Sequence, residues 1–215
     1  NILNRPDLIL EKFINLKNTE GNTALIVVSR GGNAGVVGQL LGAGADVNAT
    51  DEYGTTALMW ASMKGNAGVV RLFLEAGADV NATDEYGRTA LICASRDGYA
   101  DVVRLLLGAQ GRQVNAAPYG NTALMCASRG GNAGVVGQLL EAGAKVNAAG
   151  EYGYTALMCA SGKGHAGVVD QLLRAGADVN AADRYGYTAL MCASRGGNAG
   201  VVDQLLRAGA DVNAA

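Results

Sequence analysis

Residues Asp51 to Thr83 read DEYGTTALMWASMKGNAGVVRLFLEAGADVNAT, and this stretch decides the fold. Thr56 is a good helix N-cap, because its hydroxyl can accept from a backbone N–H that the first helical turn leaves open. Ala57, Leu58, Trp60 and Ala61 then place small and apolar residues along one side of a short helix that Gly65 ends. Asn66 can cap a second helix, in which Val69, Val70, Phe73 and Leu74 form one apolar stripe until Gly77 stops it. From Ala78 to Gly87, Asp, Asn and Gly stand where an extended, turning connection needs them. The unit is helix, turn, helix and then a protruding hairpin-like loop, here called a finger.

The unit recurs. Thr-Ala-Leu stands at Thr23, Thr56, Thr89, Thr122, Thr155 and Thr188, each 33 residues after the last. Helices of two to three turns are well below the ~12–15 residues at which isolated helices become marginal in water, so each copy must be stabilised by its neighbours. The reading is an array over 18–215 in six repeats: 18–50, 51–83, 84–116, 117–149, 150–182 and 183–215. Ahead of it, within 1–17, Pro6 near a helix start and the apolar spacing of Leu8, Ile9, Phe13 and Ile14 predict an N-terminal covering helix. The chain opens on Asn1 rather than methionine and is expected to be a piece of something longer. In the last repeat Val201, Val202, Leu205 and Leu206 repeat the internal pattern, where a terminal repeat normally turns polar. That helix pair is expected to continue in a parent chain or to expose an uncapped end open to end-to-end self-association.

The recurring Gly-x-Thr-Ala-Leu, Val-Val-x-x-Leu-Leu and Gly-Ala-Asp-Val-Asn-Ala, on a period of 33, are similar to the ankyrin repeat, whose hallmark is Thr-Pro-Leu-His-x-Ala. The match covers Asn18 to Ala215. It implies an all-α solenoid of stacked helix-turn-helix units, and partner contact along a concave face made by the fingers and the exposed ends of the first helices. There are two consistent departures. Alanine replaces the family's proline, as at Ala57 and Ala156. Methionine or isoleucine replaces its histidine, at Met59, Ile92, Met125, Met158 and Met191. In the family that histidine ties neighbouring loops together, whereas methionine can only pack. One repeat is irregular: the segment between Leu107 and Asn115 is one residue longer than its counterpart Glu75 to Val80, and the next loop, Ala116 to Gly120, is one shorter. The changes compensate, and they predict a distorted finger at Pro118 and a bend in the stack.

With a net charge of −2 the chain lacks the basic surplus that neutralises phosphates or anionic headgroups, which argues against nucleic acid and membrane as partners. No apolar run approaches the roughly 18 residues of a transmembrane helix. Cys93, Cys126, Cys159 and Cys192 hold one position in successive repeats, so neighbours are separated by about one helix-to-helix distance, ~8–10 Å. A disulfide needs Cα atoms within roughly 7 Å and a zinc site needs four thiolates around one point, so the ladder reads as small apolar packing. Unpaired thiols point to a reducing, cytoplasmic setting. Trp60, at the same position as these cysteines, reads as filling a core gap. His165 is the only histidine and sits where the ankyrin consensus favours histidine, so it reads as structural. One histidine supports no Ser-His-Asp or Cys-His arrangement, and Gly-Gly pairs such as Gly31-Gly32 end helices without a following Lys-Ser/Thr. The sequence predicts no enzyme, no cofactor and no metal.

The candidate binding residues are in the fingers and beside them. Tyr53, Tyr86, Tyr119, Tyr152 and Tyr185 each precede the finger glycine, and Tyr154 and Tyr187 follow it in the last two repeats. Tyrosine offers large contact area and a hydrogen-bonding tip at low entropic cost; the alternative is a structural ladder of stacked rings. A basic row ends the first helices, with Arg96, Arg129, Lys163 and Arg195 as candidates, joined by Arg88 and Arg184 in the fingers. Cations at that position also favour the helix dipole. Glu20, Glu52, Glu85 and Glu151 share the fingers, so the groove is expected to run from acidic to tyrosine-rich and more basic. The leading reading is a non-enzymatic module binding another protein or peptide. The alternatives are a structural spacer or self-associating rod, a designed scaffold without a natural partner, or the targeting portion of a larger enzyme.

Overall fold

The structure is a computed structural model that describes residues 13–109, 111 and 113–213. Among them are twelve helices in six consecutive pairs: α1 (Ala24–Gly31) and α2 (Ala34–Gly42), α3 (Ala57–Met63) and α4 (Ala67–Glu75), α5 (Ala90–Asp97) and α6 (Ala100–Gly108), α7 (Ala123–Gly130) and α8 (Ala133–Glu141), α9 (Ala156–Lys163) and α10 (Ala166–Arg174), α11 (Ala189–Arg195) and α12 (Ala199–Arg207). The chain divides into two compact units, Asn1–Ala94 with Arg104–Arg112, and Ser95–Val103 with Gln113–Ala215. The division falls on the irregular third repeat. Most of the covering helix expected within 1–17 lies outside the described residues; Phe13 and Ile14 are helical.

Each first helix starts the same way. The Thr hydroxyl accepts from the backbone N–H three residues on, as from Thr56 to Met59 at 3.2 Å and from Thr122 to Met125 at 3.2 Å. The other four threonines cap in the same fashion. Such a cap contributes about 1 kcal/mol.

Within the first unit α1 packs on α3 and α2 on α4, around buried Leu25, Ile26, Val37, Leu58, Val70 and Phe73. Within the second unit α9 packs on both α7 and α11, and α10 on both α8 and α12, around Leu124, Val136, Leu157, Val169, Leu172 and Leu205. Each fully buried aliphatic side chain contributes about 1.5–3 kcal/mol, which these helices lack when isolated. Cys93, Cys126, Cys159 and Cys192 are buried thiols outside any disulfide, in keeping with the packing expectation. Met59, Met125 and Met158 are fully buried beside the caps.

Two expectations are corrected. Asn66 does not cap its own helix: its side chain makes no cap hydrogen bond, and Nδ2 donates instead to the Ser29 carbonyl near the end of the preceding repeat's α1, at 3.1 Å. Asn132 reaches Ser95 and Asn198 reaches Ser161 alike, and His165 Nε2 lies 3.1 Å from the Arg129 carbonyl, which requires that nitrogen to carry the proton. This position ties repeat to repeat, where the exposed carbonyls of a helix end need donors. The glycine at the helix end makes room: Gly131 has φ +73°, and a Cβ there would lie 2.7 Å from the His165 ring. The second correction is Trp60, which is half-buried at the mouth of a cavity and not in a core gap.

The fingers are held by a buried aspartate that the sequence reading passed over. Asp51 Oδ1 accepts from the N–H groups of Tyr53 and Thr55, Asp84 from Tyr86 and Arg88, and Asp183 from Tyr185 and Tyr187, all at 2.8–3.0 Å. Beyond the second helices an asparagine ladder runs along each unit. Asn147 Oδ1 accepts from Asp178 N–H at 2.8 Å while its Nδ2 donates to the Gly176 carbonyl at 3.0 Å, and Asn180 repeats both bonds to Asp211 and Gly209. Finger order thus rests on Asp and Asn, where the family's histidine is absent. In the irregular finger Ala117 replaces the aspartate, yet the turn persists, with Gly120 N–H donating to the Ala117 carbonyl at 3.0 Å.

Thr122→Ala is expected to lower stability by about 1 kcal/mol. Gly131→Ala should cost more, because a strained φ and a collision with His165 add together. Urea unfolding midpoints of the two variants check both the direction and the order.

Candidate partner-binding surface

The fingers present their tyrosines to solvent: Tyr53, Tyr86, Tyr119, Tyr152, Tyr185 and Tyr187 are all exposed, from 39% at Tyr187 to 66% at Tyr185. Their surroundings differ between the two units.

In the first unit a cavity of about 390 Å³ opens among the fingers, with Glu20, Glu52, Tyr53 and Tyr86 on its walls. Its cations are engaged internally. The Arg30 guanidinium stacks 3.9 Å over the Trp60 ring, donates to Asn22 Oδ1 at 2.8 Å and faces Asp51 at 3.8 Å. Trp60 Nε1 donates to the same Asp51 carboxylate at 3.0 Å. Arg88 Nε donates to Asp84 at 2.6 Å, and its guanidinium lies 4.7 Å from the Tyr86 ring. Beside Glu52 the Tyr53 phenol, and beside Glu85 the Tyr86 phenol, titrate above the usual tyrosine range, because a phenolate there would meet a carboxylate. The surface keeps carboxylates in excess. The sequence reading did not find the Trp60–Arg30–Asp51 cluster. Its one signal was a tryptophan interrupting a column of small residues.

In the second unit the arrangement is reversed. A cavity of about 200 Å³ is lined by Arg129, Lys163 and Arg195 from the C-terminal turns of α7, α9 and α11, and by Tyr154 and Tyr187. Its inner wall is formed by Met158, Cys159 and Cys192. Arg129 Nη2 lies 3.6 Å from Cys159 Sγ, Tyr154 Oη lies 4.0 Å from Cys192 Sγ, and Arg195 sits 6.0 Å from the Tyr187 ring. No carboxylate lines this cavity. Burial pushes the thiols of Cys126, Cys159 and Cys192 above their ordinary 9.0, opposed by Arg129 at the first two and by the Tyr154 hydroxyl at the third. They are neutral at physiological pH and are not activated nucleophiles.

The structure therefore brings together five of the candidate residues, Arg129, Tyr154, Lys163, Tyr187 and Arg195. A second group forms at the finger tips, where the Arg184 guanidinium lies 3.9 Å over Tyr152 and 4.6 Å over Tyr185 and donates to the Tyr185 hydroxyl. The Arg184 N–H also donates to the Tyr152 carbonyl at 2.9 Å, joining two fingers. Arg88 stands apart in the first unit with Asp84, Arg96 pairs with Asp97 at 2.9 Å, and Tyr119 is an exposed ring on the irregular finger. Among the described residues no group of His, Cys, Asp and Glu is placed to hold a metal ion, and no helix is long and apolar enough to cross a membrane.

Threonine-capped helix pairs, joined by aspartate-pinned fingers and repeating every 33 residues, define the ankyrin class of all-α repeat proteins. The family model for ankyrin repeats matches over residues 4–84, 79–150 and 147–215, and the chain belongs to that family. Among solved structures it is similar to the ankyrin repeat domain of Bcl-3, described as a unique member of the IkappaB protein family, at 30% identity and TM-score 0.78, covering 96% of this chain and 94% of that one. It is also similar to an ankyrin repeat domain from Acinetobacter baumannii AYE, at 34% identity and TM-score 0.77, covering 87% of this chain and 98% of that one. No curated protein sequence matches. Ankyrin repeat domains are generally protein–protein interaction modules and typically non-enzymatic.

The raised thiols carry a pH signature. Folding holds them neutral, so their stabilising contribution is complete below the unfolded value of 9.0 and is lost as pH rises through the higher folded values. The melting temperature is expected to fall above pH 9, and to fall less steeply in a Cys126→Ala/Cys159→Ala/Cys192→Ala variant when followed by circular dichroism.

Proposed function

We propose that this chain is a non-enzymatic interaction module that binds another protein or peptide through the finger tyrosines and the cation-lined cavity of the second unit. The observation that carries this reading is the convergence of Tyr154 and Tyr187 on the same cavity as Arg129, Lys163 and Arg195. Tyr154 and Tyr187 break the pattern of the repeats, whose other fingers hold Asn22, Thr55, Arg88 and Asn121 at that position. Their side chains do not hold the turn: Asp183 accepts from the N–H groups in the finger of Tyr187, and backbone bonds of Gly150 and Gly153 close the finger of Tyr154. Exposed tyrosine beside arginine is the composition of interface hot spots, where large rings and planar cations are desolvated together. A stable complex on this surface would bury about 1,200–2,000 Å² in total.

The variant Tyr152→Ala/Tyr154→Ala/Tyr185→Ala/Tyr187→Ala tests the reading. It gives up the contacts of Arg184 with two rings, each worth about 0.5–1 kcal/mol at an exposed site, so it should fold with a slightly lower melting temperature. It should lose the proteins that the unaltered chain captures in quantitative affinity capture. Undiminished capture by a folded variant would overturn the reading, and loss of the fold would assign the tyrosines to structure.

A further inference from the structure

The walls of the second unit's cavity carry three cations and no carboxylate, and this excess has a traceable origin. In the first unit Arg30 faces Asp51, 21 residues further on. The residue at the same offset from Arg129 is Gly150, so its counter-charge is missing. Arg129 has the neutral thiol of Cys159 as its polar neighbour instead. Asp183 of the last finger, whose Oδ1 accepts from the Tyr185 and Tyr187 N–H groups, lies near enough to act on Tyr154 and Cys192 but is not on the cavity wall. Lys163 and Arg195 form no ion pair among the described residues, and the Arg195 guanidinium lies 6.0 Å from the Tyr187 ring. Three cations therefore face one cavity beside two phenols, with no carboxylate on its walls.

The cations are also spaced. Each comes from a first helix one repeat beyond the last, an offset of ~8–10 Å between packed helices. A chain extended as a polyproline II helix advances about 3.1 Å per residue with three residues per turn, so its every third side chain lies on one side and one repeat corresponds to three residues. A segment with carboxylates at that spacing presents one to each of the three cations. Tyr154 and Tyr187 each carry a phenolic hydroxyl that can donate to such a ligand.

We propose that this cavity binds an acidic peptide segment in extended form, with carboxylates three residues apart, one on each of Arg129, Lys163 and Arg195. This deepens the reading of the chain as a protein-binding module and rests on it. The charge excess of the first unit has the opposite sign, so the acidic segment is assigned to the second unit alone.

The test is fluorescence anisotropy of the full chain with a fluorescein-labelled peptide carrying glutamate at every third residue among serine and glycine. A second peptide of identical composition carries its glutamates in one uninterrupted run. The spaced peptide should bind more tightly than the clustered one, and its affinity should fall several-fold as salt is raised past the Debye regime. Arg129→Gln/Arg195→Gln should weaken it at least tenfold and Lys163→Gln several-fold. Arg174→Gln, which alters an exposed cation of α10 paired with Asp170, should leave it unchanged. Equal binding by the cavity variants, or equal affinity for the two peptides, would overturn the proposal. So would displacement by inorganic phosphate at concentrations where acetate has no effect, which would assign the cavity to a phosphoryl group. If the Gln variants lose neither peptide nor captured partner while the four-tyrosine variant loses its partner, this inference fails and the module reading stands. If that tyrosine variant also loses nothing, the module reading fails as well.

Discussion

A helix of seven to nine residues is too short to persist in water, so every helix pair in this chain depends on the apolar face that its neighbour offers. Nearly everything else follows from that constraint. Val-Val and Leu-Leu in the second helices and Ala-Leu in the first are not local preferences for helix, since valine is a modest helix former. They are the contact surface of a stack, placed so that α9, for example, is covered on one side by α7 and on the other by α11. The same constraint explains the small residues at Ala61, Ala94, Ala127, Ala160 and Ala193, all inaccessible to solvent, where a larger side chain would push neighbouring first helices apart.

Stacking by apolar contact alone would leave the repeats free to slide, and polar ties remove that freedom. Asn66, Asn132, His165 and Asn198 each reach back to a carbonyl at or near the end of the preceding first helix. The Asn147 and Asn180 amides use both their oxygen and their nitrogen on the following repeat. Because the bonds recur at fixed repeat positions, they set the register that the apolar faces leave open. They also explain how the fingers stay ordered where the family's histidine has become a buried methionine.

Function then becomes a question of which repeat positions escape these duties. The finger aspartate is structural, and in the first unit Arg30 and Arg88 face Asp51 and Asp84. In the second unit the aspartate gives way to Ala117 and Gly150 in two fingers and is kept as Asp183 in the third, and Arg129, Lys163 and Arg195 face an open cavity. Gly150 also lets the neighbouring finger approach: a Cβ there would lie 2.6 Å from the Gly120 carbonyl oxygen. One substitution thus tightens the fingers and unmasks Arg129.

The sequence by itself determined the family, the helix pairs, the threonine caps and the burial of the cysteine column, because a 33-residue period repeats each local signal six times. It also supplied the five residues that line the cation-rich cavity, though only as members of two rows. Tertiary structure alone decided which members of those rows are available. Arg30 and Arg129 hold the same repeat position, yet one is stacked on Trp60 and faced by a carboxylate while the other looks into a cavity. The same holds for Asn66, whose identity suggested a cap and whose amide serves the neighbouring repeat. The physical reason is that these bonds join residues some 20 to 40 positions apart, and periodicity within one unit carries no information about which side chain of the next unit will reach it.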